Sequence, residues 1–186
     1  MSRKTILFLF AAVIAGALAF IYRGVYNVAA TSAHTKPVEW LMQTTMKVSV
    51  QTRARGIQVP AGVNLTDHSL AEKAIGHYST TCTPCHGAPG VEPAEWMNLN
   101  PEPPDLAKKA SQWKDAELFW IIKHGIKMSG MPAIGRSHSD EDVWSIAAFV
   151  RQLPTMTPEQ YEAMEKQYRE EQQTRARKPD SHSHSH

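Results

Sequence analysis

Cysteine is nearly absent from this chain: 186 residues hold two, Cys82 and Cys85. That excludes a disulfide-braced scaffold, which needs several bridges along a short chain, and a zinc site built from four cysteines. An excess of charge of one sign is absent too. Lys and Arg number 20 against 18 Asp and Glu, a formal net charge of +2, so no chain-wide field selects nucleic acid as a partner. Internal repeats are missing, and no two alternating runs are joined by a hairpin signal, which argues against a sheet.

Charge is missing altogether from residues 5–22, TILFLFAAVIAGALAFIY. As a helix this run is about 27 Å long, close to the hydrocarbon thickness of a bilayer. Arg3 and Lys4 precede it, and the positive-inside rule keeps such residues cytoplasmic. Residues 1–4 therefore read as a cytoplasmic N-terminus and 5–22 as a transmembrane anchor. The competing reading is a cleaved signal with Ala17-Leu18-Ala19 at the cut. The apolar run continues through Phe20, Ile21 and Tyr22 without a polar stretch before that point, which favours a retained anchor. Both readings place the remainder outside the cytoplasm.

Residues 23–65 read as a linker and arm. Within them 38–52, VEWLMQTTMKVSVQT, is apolar enough for a short helix or an extended segment lying on a domain, and the alternation at Met46, Val48 and Val50 leaves both open. A helix is expected to start at Asp67 or Ser69, with Glu72 in capping-box spacing from Ser69, and to run through LAEKAIGHYSTTCTPC. The Pro- and Asn-rich stretch that follows, up to Leu106, is a long loop, a feature that in a compact domain is usually functional. Residues 114–124 form a second helix ended by Gly125. Residues 139–153 form a third, opened by Ser139 and closed by Pro154. Residues 155–186 are set apart as a polar helical tail with a His-rich end, DSHSHSH, able to hold nickel or copper weakly. The expected fold is all-α, three or four short helices joined by long loops. Side chains alone fill such a core poorly, so a prosthetic group is expected in the middle.

The stretch TTCTPCHGAPG, 80–90, holds both cysteines three apart, with His86 directly after the second. A disulfide across so short a span closes a tiny loop and adds little stability. A structural zinc needs four ligands, and no second ligand cluster has matching spacing. Cys-x-x-Cys-His is the signature of covalent haem attachment. Two thiols one helical turn apart reach the two vinyl groups of a haem, and the next residue presents its imidazole to the iron from the same side. By average composition the pattern arises by chance in about one chain of this length in a thousand. One covalently bound haem c is the expected cofactor, with Cys82, Cys85 and His86 as its attachment set.

On these residues the chain resembles the class I (monohaem) cytochrome c family over roughly residues 66–154, preceded by a membrane anchor. GHY at 76–78 is similar to the family's Gly-x-aromatic pattern, where glycine lets the first and last helices cross closely. PPDL at 103–106 resembles the segment in which a proline carbonyl, here that of Pro104, accepts the N–H of the ligand histidine. SGMPAIG at 129–135 resembles the distal ligand loop, with Met131 as sixth ligand; Met97, Met128 and His124 are the competing residues. Pro132 biases Met131 to extended backbone, which suits a strap across the haem face. VWSIAAFVRQLP at 143–154 resembles the last helix. Phe119, Trp120 and Ile121 are expected to line the haem crevice.

The resemblance implies an electron carrier rather than an enzyme. A thioether on the sixth position favours the reduced iron and closes the site to oxygen. The expected role is a membrane-tethered carrier of single electrons between respiratory or periplasmic redox proteins, possible also as a subunit of an oxidase or dehydrogenase complex. The expected place is a bacterial inner membrane, with the soluble domain in the periplasm. The alternative is a haem enzyme or a gas or redox sensor, which needs an open sixth site.

Overall fold

The structure is a computed structural model and describes residues 2–177. The His-rich end, on which the nickel- or copper-binding expectation falls, lies outside the described residues. The chain divides into two compact units after His34.

The first unit is dominated by α1 (Arg3–Tyr22), whose N-terminus is capped by the Ser2 hydroxyl accepting the Thr5 N–H at 3.2 Å. No residue of α1 is buried, and Ile6, Leu7, Phe8, Phe10, Val13 and Ile21 are among its exposed apolar side chains. Soluble surfaces do not expose apolar patches of this extent. Its length and composition suit a membrane span.

The second unit is all helical, and among its described residues only the isolated bridge Ala88–Val91 pairs as a strand would. Its helices are α2 (Lys36–Ala54), α3 (His68–Glu72), α4 (Ile75–His77), α5 (Thr83–His86), α6 (Leu106–Lys109), α7 (Asp115–His124), α8 (Asp140–Gln152) and α9 (Pro158–Arg177). The segment 38–52 that the sequence left open is helical, inside α2. Met46, Val50 and Ala54 recur at every fourth residue and turn one face toward α7, with Val50 and Ala54 buried.

The core is organised around α8. Ser139 and Asp142 form a reciprocal capping box, with the Ser139 hydroxyl accepting the Asp142 N–H at 3.2 Å and the Asp142 carboxylate accepting the Ser139 N–H at 3.0 Å. Three acids in the first turn favour the positive end of the helix dipole. Val143 through Val150 are all buried, and each large apolar side chain among them contributes about 1.5–3 kcal/mol by leaving water. Helices α3 and α7 pack against α8. Phe119 is buried and stacks on Trp144 at 4.2 Å between ring centroids.

Two polar side chains tie α8 to its surroundings. Arg151 donates to the Asp115 carboxylate at 2.6 Å and to the Trp113 carbonyl at 2.7 Å, locking the start of α7. Gln152 donates to the carbonyls of Leu65 and Asp67 at 3.2 and 3.1 Å, holding the loop that enters α3.

The helix expected from residue 69 through the cysteines is broken. Between α4 and α5 the backbone widens into a π-turn, Tyr78–Cys82. Pro84 explains the widening, because its ring lacks an N–H and clashes with the carbonyl one turn back. Hydroxyls add bonds to carbonyls of this segment: Thr80 donates to Gly76 O at 2.7 Å and Thr83 to Tyr78 O at 3.2 Å.

Candidate functional site

Cys82 ends the π-turn, and Cys85 and His86 lie on α5. The short helix stops at Gly87, whose φ of 66° suits only glycine; a Cβ there would meet Val91 O at 2.7 Å. The two thiols are not bridged, and all three side chains are half-buried. Burial, with the neighbouring Cys85 as a lesser cause, pushes the Cys82 thiol up to about 12. Among the described residues no three His, Cys, Asp or Glu side chains cluster to hold a metal ion.

His86 and Pro104 meet across eighteen residues: Nδ1 lies 2.8 Å from the Pro104 carbonyl oxygen. A carbonyl only accepts, so Nδ1 carries the proton and Nε2 is left as the ring's lone-pair nitrogen. Such an outer hydrogen bond fixes the tautomer and ring orientation of a ligating histidine. Burial holds the imidazole below its ordinary value despite the opposing effect of that carbonyl, which keeps it neutral, as ligation requires. The turn carrying Pro104 is fixed by Asp105, which caps α6 by accepting the Lys108 N–H at 3.3 Å.

Met131 lies on a strap that leaves α7 at Gly125. The glycine's φ is 64°, and a Cβ on it would meet Met131 O at 2.6 Å. Ile126 N–H bonds Met131 O at 3.3 Å, and the Ser129 hydroxyl accepts the Met131 N–H at 3.2 Å. Gly130 brings the strap against Leu99 of the long loop, where a Cβ would meet its Cδ1 at 2.5 Å. Met131 and Cys82 both pack against the same buried cluster. Of the competing residues, Met97 is half-buried as Met131 is, and the other two sit differently. Met128 is 77% exposed with φ 62°, and His124 is exposed beside Trp120 at 4.9 Å.

The donor set suits a haem held by two thioethers: unbridged thiols on one turn, then a neutral imidazole with its outer nitrogen occupied. Cys82 and Cys85 would hold the group, and His86 would ligate the iron.

Sequence reasoning missed the partners of this segment. Tyr161 of α9 is 2% exposed, and its hydroxyl lies 3.0 Å from Thr83 Oγ1, between the two cysteines. The Thr83 proton is given to Tyr78 O, so Tyr161 donates. Tyr168 of α9 covers Gly76, where a Cβ would meet the Tyr168 Oη at 2.5 Å. The glycine that the family resemblance assigned to a crossing of the first and last helices here receives a side chain from the tail helix. Tyr78 donates from its buried hydroxyl to Gly87 O at 2.9 Å and packs on Phe149 at 4.6 Å. The only sequence signal for α9 was Tyr161, Met164 and Tyr168 at helical spacing within a polar run.

Residues 70–150 match the family model described as cytochrome c oxidase, cbb3-type, subunit III. No curated protein and no solved structure matches the chain.

Proposed function

We propose, from the premise that residues 70–150 belong to the class I cytochrome c family on a membrane-anchored chain, that this protein is a monohaem carrier of single electrons between redox proteins at a membrane. The observation that carries this reading is the 2.8 Å contact of His86 Nδ1 with the Pro104 carbonyl, which sets one tautomer beside a Cys-x-x-Cys pair. Bound haem supplies a one-electron iron couple whose potential depends on axial ligand and burial.

The chain's own residues do the rest. Cys82 and Cys85 would hold the group by thioethers. His86 would ligate the iron through Nε2, with its orientation set by Pro104. Met131, on a strap pinned by Gly125, Ser129 and Leu99, would offer its sulfur to the iron as well. A thioether ligand would raise the potential and close the iron to oxygen or peroxide, which suits transfer rather than catalysis.

The family description names a subunit of an oxidase complex, and two features suit a chain held among other subunits: the docked helix α2 ahead of the domain and α9 after it. Arg3 and Lys4 ahead of α1 support a cytoplasmic N-terminus, with the haem domain on the periplasmic side of a bacterial inner membrane.

Purification from native membranes tests the reading. The expected result is a chain heavier than its sequence by one haem, a c-type spectrum on reduction, no rapid carbon monoxide binding, and co-purifying redox subunits. A colourless chain of unmodified mass overturns it.

A further inference from the structure

Helix α2 is apolar on two sides. Its docked face, with Met46, Ser49, Val50 and Ala54, is most deeply buried in the second half; in the first half Val38 and Glu39 are half-buried and every residue from Trp40 to Thr45 is exposed. At about 100° per residue, Lys36, Glu39, Gln43 and Lys47 fall in one stripe about 80° wide. That stripe continues the docked face and is tied together internally: Gln43 donates to Glu39 at 3.2 Å, and Lys36 pairs with Glu39 at 3.8 Å. On the side away from the domain stand Pro37, Trp40, Leu41, Thr44 and Val48. Trp40 is 67% exposed, and Leu41 and Val48 are each 55% exposed. A surface helix normally turns its apolar residues inward and its charges outward; here the outward side is apolar as well as the docked one. Nothing in the described domain covers it.

We propose that this outward face of α2 lies in the headgroup and acyl boundary of the bilayer, so that the haem domain rests on the membrane rather than swinging on a free tether. Three observations select lipid as the occupant. The composition matches an interfacial helix, with Trp and Leu on one side and lysines on the flank; tryptophan concentrates at membrane interfaces. The charge is complementary to anionic lipid: Lys36, Lys47 and Arg55 stand against Glu39 over residues 36–55, with Arg53 held on the docked side by its 2.9 Å bond to Ser49, and each basic residue near such a surface contributes about 1 kcal/mol. The reach is short: residues 23–35, between the end of α1 and the start of α2, extend at most about 45 Å. The more exposed half of the helix is also the half nearest α1 in sequence.

Full-length holoprotein in vesicles of phosphatidylethanolamine and phosphatidylglycerol, with no other protein present, tests this. Spin labels are introduced singly by Leu41→Cys, Val48→Cys and Gln43→Cys, and relaxation by oxygen and by a water-soluble nickel chelate is read for each. Lipid docking gives labels at 41 and 48 several-fold less contact with the chelate and more with oxygen than the label at 43, and the contrast shrinks when phosphatidylglycerol is removed. Equal chelate contact at all three positions overturns the proposal. So does shielding from both reagents that needs native membranes, which points to a partner subunit, or that falls on dilution in detergent, which points to a second copy.

Discussion

Tyr161 and Thr83, 78 residues apart in sequence, are joined by a hydroxyl–hydroxyl bond of 3.0 Å. The bond fixes a tail helix on the residue between the two attachment cysteines. Tyr161→Phe keeps the ring and removes the donor. The expected cost is about 1 kcal/mol, read as a lower denaturant midpoint at unchanged slope, with the visible spectrum retained.

Gly76 and Tyr168 give a second, independent check on the same docking. Gly76→Ala places a methyl where the tyrosine ring lies, and overpacking of this kind costs about 1–3 kcal/mol. Pairing it with Tyr168→Ala removes the clash, so the double variant is expected to be less destabilised than the two single effects summed, a coupling that a double-mutant cycle measures. Strict additivity would show that α9 does not seat there in solution.

The two strap methionines separate ligand from bystander. Met131→Ala is expected to lower the midpoint potential, abolish the methionine–iron charge-transfer band of the oxidised protein and open the reduced protein to carbon monoxide. Met128→Ala, at an exposed position, should leave all three unchanged and shift stability by no more than about 0.5 kcal/mol. Reversal of these outcomes moves the ligand assignment to Met128.

Alkali is expected to act through Tyr78. Burial, aided by Cys82, Tyr161 and Asp105, raises its phenol well above the ordinary value, and its proton is the one donated to Gly87. A group whose folded pKa is raised keeps its contribution complete below the unfolded value, about 10, and loses it as pH climbs toward the folded one. Unfolding free energy should therefore fall above roughly pH 10. Tyr78→Phe should be about 1 kcal/mol less stable at neutral pH, from the lost hydrogen bond, and should show a flatter decline in alkali.

Helix α8 was legible in the sequence because local signals agree with tertiary packing: Ser139 and three acids open it, apolar residues recur at helical spacing, and Pro154 follows it. Helix α7 was equally plain, bounded by Gly125. The contact of Pro104 with His86 followed from the family resemblance, and no local pattern announces it. Three features escaped. Met46, Val48 and Val50 alternate like a strand, yet Met46, Val50 and Ala54 share the docked helical face, and short apolar runs carry both periods at once. The π-turn before Pro84 has no compositional mark beyond the proline. Helix α9 reads as solvated because few of its residues touch anything, and the packing of Tyr161 and Tyr168 is a long-range fact that a local pattern does not carry.

The last of the described helices is the one that closes over the segment holding Cys82 and Cys85. While the chain is being made, Cys82 to His86 emerge long before Tyr161 exists to grip Thr83. That segment is therefore unlatched until α9 folds onto it. Truncation ahead of Pro158 would remove the grips on Thr83 and Gly76 and leave the segment permanently unfastened.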